Sequence, residues 1–165
     1  MTAHQKYRLI KKYEGFEARE YLPCVVADVI VEGDRDSAGN IGFRPLVKFI
    51  SDNSISMTAP VIQEESGDGK WRITFVMPAG VALDDIASPS DPRIVLRALP
   101  AHTAAAMRFK GRTTESTVSA REKQLRELID LNNLHAEGLM RVARFDPPWK
   151  VPISRHNEII IPIAN

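Results

Sequence analysis

At 165 residues, 44% of them hydrophobic and 26% charged, the chain suits one domain spanning residues 1–165 with a core of its own, and it is too apolar to be largely disordered. A net charge of +1 offers no overall attraction to nucleic acid or to an anionic membrane surface, and no apolar run is long enough to cross a bilayer. The single cysteine, Cys24, excludes an intramolecular disulfide and suits a reducing compartment, so a soluble cytoplasmic protein is expected.

Residues 7–12 and 17–22 read as short strands on either side of a Glu14-Gly15 turn. Residues 24–31 form a nearly continuous β-branched run, which predicts a strand buried over much of its length. The Asp, Ser, Gly and Asn of residues 34–40 have the composition of a loop leading into a helix. The first helix is predicted over 41–50, where Ile41, Leu46, Phe49 and Ile50 recur near helical spacing and Pro45 fits the first turn. Residues 56–63 and 71–77 are predicted as antiparallel strands joined by a loop with Gly67 and Gly69. Pro60 cannot donate to a ladder and implies an edge or a bulge. In the second of these strands Trp71, Ile73, Phe75 and Met77 alternate with Arg72, Thr74 and Val76, which predicts one buried face and one mostly wet face.

Residues 81–92 are a connection rich in Pro, Ser and Asp, suited to a flap over whatever site exists. Strands follow at 94–99 and 102–109. The second helix is predicted over 116–135, with Ser119 and Glu122 resembling a capping box and Gly138 as the stop. The chain closes with strands at 140–145 and 158–163 around a Pro-rich loop at 147–152. Strands, a helix and further strands occur twice in this order, which suggests an internal duplication.

Little in the chain points to turnover. Cys24 sits in an apolar strand, where a thiol loses reactivity, and there is no GxSxG elbow or phosphate-cradling glycine loop. The four histidines, His4, His102, His135 and His156, show no zinc-type spacing. The charges of residues 121–127 interleave as a solvated helix face. Met57 reads as core filler, and Trp149 as a residue that stacks on a planar ligand or covers the core.

Several blocks in register carry more information. Ile55-Ser56-Met57-Thr58-Ala59-Pro60-Val61 is answered by Asp146-Pro147-Pro148-Trp149 and Arg155-His156-Asn157-Glu158-Ile159. Between and before them stand YEGFEAREYLP at 13–23, GFRPLVKFISDN at 42–53 and Phe75-Val76-Met77-Pro78. Together these resemble the SOUL family of haem-binding proteins over nearly the whole chain. The resemblance implies an α+β fold, a distorted and mainly antiparallel β-barrel built from a duplicated β-α-β motif and flanked by two helices. It also implies non-covalent binding of haem or a related tetrapyrrole, without turnover, and no CxxCH for covalent attachment is present.

For the ligand, the resemblance suggests an apolar surface at the first helix, with Phe43 and Val47 giving area and Arg44 and Lys48 meeting the propionates. Glu20 stands where some members have a histidine proposed as an axial ligand, and Glu is a poor haem ligand. His156 replaces the usual arginine of its block and is the candidate iron ligand, with Trp149 as a stacking wall. The same fold also implies a rival, an effector-binding domain of the gyrase-inhibitor-like type. A buried Glu facing the groove would favour that rival, and an apolar face rimmed by Arg and Lys would favour haem.

Overall fold

The computed structural model describes residues 2–165. In chain order the strands are β1 (Ala3–His4), β2 (Tyr7–Tyr13), β3 (Phe16–Tyr21) and β4 (Cys24–Glu32), followed by helix α1 (Arg35–Asp52). Next come β5 (Thr58–Ala59), β6 (Val61–Glu65), β7 (Lys70–Val76), β8 (Val95–Leu99) and β9 (His102–Lys110), then helix α2 (Glu115–Leu131). β10 (Arg141–Arg144) and β11 (His156–Pro162) end the chain, and short 3-10 turns lie at Leu83–Asp85 and Pro152–Ser154.

Nine strands form one antiparallel sheet in the order β2-β3-β9-β11-β10-β6-β7-β4-β8, curled into a half-barrel, and with the two helices this is the expected α+β fold. The order reads alike from both ends. β9-α2-β10-β11 repeats β4-α1-β6-β7, and the strand preceding each unit crosses over: β3 pairs with β9, and β8 pairs with β4. Each half therefore completes the other's sheet.

Both helices cover one face. α1 buries Ala38, Leu46, Phe49 and Ile50 against Val25, Ala27, Val29, Ile73 and Phe75, and α2 buries Val118, Leu125 and Ile129 against Phe16, Met107, Ile159 and Ile161. Alternation along each strand sends the remaining residues into the uncovered, concave face.

Several boundaries differ from the sequence reading. α1 starts at Arg35 rather than at 41, because the Asp34 carboxylate accepts from the Ser37 amide at 2.8 Å and caps the helix. Pro45 is therefore interior, not in the first turn, and α1 runs through it because the face formed by Arg35, Ala38, Gly42, Leu46, Phe49 and Ile50 is buried. α2 is capped by Thr114, not by Ser119, and it ends at Leu131 with Asn132 as its C-cap, after which Asn133 takes a left-handed conformation (φ 58°) well before Gly138.

The strand expected over 56–63 is two strands separated by Pro60. β5 leaves the main sheet to pair in parallel with β1. The second face of β7 is not wet: Thr74 is 2% exposed and Val76 3%, because the sheet curls over them. The 81–92 connection lies against α1, with Val81 and Ile86 packed on that helix's core.

α1 packs tightly on the sheet at Gly42. A Cβ there would overlap the Ile73 side chain, so the helix can dock only without one. We expect Gly42→Ala to destabilise the protein by about 1–3 kcal/mol in urea unfolding, and Ile73→Ala to relieve part of that cost. We expect Phe75→Ala, beneath the same helix, to cost about 3–5 kcal/mol. Full additivity of Gly42→Ala and Ile73→Ala would show that they do not meet.

Candidate functional site

The concave face holds a cavity of about 560 Å³ at the half of the sheet made by β3, β9 and β11. Arg19 and Tyr21 reach it from β3, Arg108 and Lys110 from β9, and His156, Glu158 and Ile160 from β11, with Phe145 following β10. The N-terminal segment supplies another wall. The Gln5 amide donates to the Ala59 carbonyl at 2.8 Å, the Leu22 amide donates to the Lys6 carbonyl at 3.1 Å, and the His4 ring lies 5.5 Å from that of Phe145.

At the floor stands a buried charge cluster. Glu158 is 4% exposed and Arg19 1%. Arg19 Nη1 donates to Glu158 Oε1 and Nη2 to Oε2, each at 2.8 Å, which is the forked geometry that suits a carboxylate. Arg108 Nε adds a third bond at 3.3 Å, and Glu17 approaches both arginines from the side. Arg19 also donates to the Tyr21 hydroxyl at 2.9 Å, and its guanidinium lies 4.1 Å from the centre of the Tyr7 ring. Burial raises the Tyr21 pKa and keeps the phenol neutral, and burial pulls Arg19 down until its bonds to Glu158 and Tyr21 more than reverse this.

The other half repeats the device. Asp28 on β4 is buried, receives Thr74 Oγ1 at 2.5 Å and pairs with Arg97 from β8. The registers match: Arg19 lies opposite Ala104, two residues into β9, and Arg97 opposite Val26, two residues into β4. Here Val26, Ile62 and Val76 pack into the concave face.

At the cavity rim His156 Nδ1 lies 3.3 Å from Asp146 Oδ2, which directs a ring N–H to the carboxylate and leaves Nε2 as the free nitrogen. Burial would raise Asp146, but bonds from the His156 amide, Lys150 and the His156 ring hold it below the usual carboxylate range.

The residues expected to form one site are not brought together. Phe43 and Val47 pack against the core beneath α1, Phe43 edge-on to Phe75 at 5.5 Å. Arg44 is exposed, and Lys48 pairs with Asp52 at 2.6 Å beside a smaller cavity of about 260 Å³. All four lie on the helix-covered side of the sheet. Trp149 is 82% exposed in the β10–β11 loop. His156 alone lines the large cavity. Glu20 is tied to Arg8 at 3.0 Å, on the face of β3 opposite Arg19. Among the described residues no three His, Cys, Asp or Glu side chains gather as a metal site.

Sequence reasoning singled out neither Arg19 nor Glu158 as facing a ligand. Each sits two residues from a buried apolar neighbour on the same strand face, Tyr21 on β3 and Ile160 on β11, and a charge at such a position was the available signal.

A family model described as SOUL heme-binding protein matches residues 2–162. No curated protein matches the chain. Among solved structures, the EcmrR C-terminal domain superimposes with a TM-score of 0.70 at 16% identity, covering 96% of this chain and 98% of that one. A hydrolase from Listeria innocua gives 0.65 at 12% identity, with 94% of each chain covered. SAV2435 bound to tetraphenylphosphonium gives 0.55 at 11% identity, covering 91% of this chain and 94% of that one. At these identities the likeness is one of fold.

Beside the cavity, Arg141 is buried over the Tyr21 ring, and its Nη2 lies 2.9 Å from His102 Nε2. His102 accepts there while its Nδ1 donates to the Pro100 carbonyl at 3.1 Å, an arrangement only the neutral ring satisfies. Burial and the Arg141 charge hold its pKa below the usual imidazole value. The unfolded chain takes up this proton near pH 6.5, so the stability is present above that pH and declines below it. We expect unfolding free energy to fall as the pH drops below about 6.5 and His102→Gln to flatten that slope. Equal slopes would assign the acid sensitivity to other groups.

Proposed function

The chain belongs to the SOUL heme-binding protein family, and from this we propose that it is a single-domain, cytoplasmic protein that binds haem or a related tetrapyrrole non-covalently, for buffering or delivery and not for turnover. One observation carries the reading: the groove cavity combines a planar-ligand wall with cations at its rim. A volume of about 560 Å³ falls within the range of small-molecule pockets. Tyr7, Tyr21, Phe145 and Ile160 offer apolar area, and Arg108 and Lys110 stand where carboxylates of an amphipathic ligand would meet them.

The donor set suits haem. His156 and His4 border the same cavity, and imidazole is a good ligand for haem iron. Haem would bring a large apolar plane with charged propionates. Phe145 and Ile160 would cover the plane, Arg108 and Lys110 would pair the charge, and His156, oriented by Asp146, would face the iron.

A second reading, an effector-binding domain for another apolar molecule, draws on the buried Glu158 and on the fold shared with SAV2435, which is bound to tetraphenylphosphonium. Against it, both oxygens of Glu158 are engaged by Arg19.

Titration of the purified protein with haemin tests the reading. We expect a saturable Soret band, shifted by His156→Ala. We expect Phe145→Ala to weaken binding by about ten- to a hundredfold, since burying a large apolar side chain contributes about 1.5–3 kcal/mol. Arg44→Glu and Lys48→Glu on α1 should leave the titration unchanged. Loss of binding in the α1 variants alone would move the ligand to the helix surface.

A further inference from the structure

We propose that Arg19 sets the charge class of ligand that the groove accepts, admitting anionic amphiphiles and refusing lipophilic cations. The inference builds on the groove as the ligand site and names what that site selects.

A carboxylate at the floor of an aromatic cavity is by itself a receptor for organic cations. It attracts positive charge strongly in a low dielectric, and the rings around it present their negative faces. Glu158 is such a carboxylate, buried beside Tyr7, Tyr21 and Phe145. Here the seat is taken. Arg19 covers both carboxylate oxygens at 2.8 Å and lies 4.1 Å from the centre of the Tyr7 ring, so one side chain fills both the ionic and the aromatic subsite.

An entering cation would have to displace a forked, fully buried guanidinium that is covalently part of the chain. The two arginines and two carboxylates of the cluster (Arg19, Arg108, Glu17 and Glu158) cancel. Asp146 at the rim is paired with Lys150, so Lys110, which makes no ion pair among the described residues, decides the sign there. Without Arg19 the cluster would hold one carboxylate in excess.

Arg19 reaches this place because β3 crosses to the other half of the sheet, and Arg97 from β8 meets Asp28 in the same way. In that half the concave face is packed by Val26, Ile62 and Val76, whereas the Arg19 pair borders a cavity of ligand size.

The test uses two probes, tetraphenylphosphonium as a bulky cation and 8-anilinonaphthalene-1-sulfonate as an anion, with binding measured by calorimetry and folding checked by circular dichroism. Wild type should bind the sulfonate and not the cation. We expect Arg19→Gln to bind the cation at least about tenfold more tightly than wild type and the sulfonate more weakly. Arg19→Gln combined with Glu158→Gln should abolish that gain.

If Arg19→Gln does not fold, Arg19→Lys takes its place. A lysine cannot fork both oxygens, so a smaller gain in cation binding is expected. A folded variant of either kind that binds the cation no better than wild type overturns the inference, as does wild-type binding of the cation as tight as that of the sulfonate. Haemin titration of wild type separates the two readings. Cation binding gained by Arg19→Gln in a protein that never bound haemin supports the charge selection and removes the haem reading. Haemin binding without any such gain does the reverse.

Discussion

Glu158 on β11 and Arg19 on β3 meet across the intervening β9, and the meeting is possible only because β3 leaves its own repeat to pair with the other. Removing one partner of such a buried pair costs about 3–5 kcal/mol, yet replacing both by apolar residues is often neutral. Net stability is therefore a weak reason for the pair. Its physical effect is to set a charge pattern at the cavity floor and to hold β3 in one register, since a slip of one residue would carry Arg19 to the helix-covered face.

The second half shows what the same device does away from the cavity. Asp28 takes Arg97 from β8 and the Thr74 hydroxyl, while Val26, Ile62 and Val76 fill the neighbouring face. Both repeats thus place an arginine from a crossing strand on a buried acid, and they differ in what lies beside it. The first repeat gives this region to packing, whereas the second leaves room bounded by Phe145, His156 and the N-terminal segment. The repeated topology supplies the frame, and the difference in side-chain packing leaves a candidate site in one half.

The helices serve the opposite face. α1 and α2 cover two adjoining cores, and Arg35 in the first turn of α1 reaches Glu115 in the first turn of α2 at 2.7 Å while stacking on Trp71. Residues of α1 that look like a ligand surface in sequence are largely engaged there: Phe43 and Val47 pack on the core, and Lys48 pairs with Asp52. A helix on a sheet always shows some apolar and basic residues, so such a pattern alone does not separate a docking face from a packing face.

The amino-acid sequence by itself determined the family, the two helices, most strands and the buried row Trp71, Ile73, Phe75 and Met77, because these depend on local periodicity and on blocks of adjacent residues. It also marked His156 as a departure within its block, and the structure places that residue at the cavity. Local pattern misled where a cap outweighed composition, at Asp34, and where curvature buried a second strand face, at Thr74 and Val76. The groove itself depended on tertiary structure. Alternation tells which residues of a strand share a face, not which face lies opposite a helix, and Arg19 and Glu158 are 139 residues apart in the chain. Only the crossing of β3 onto β9 brings them together.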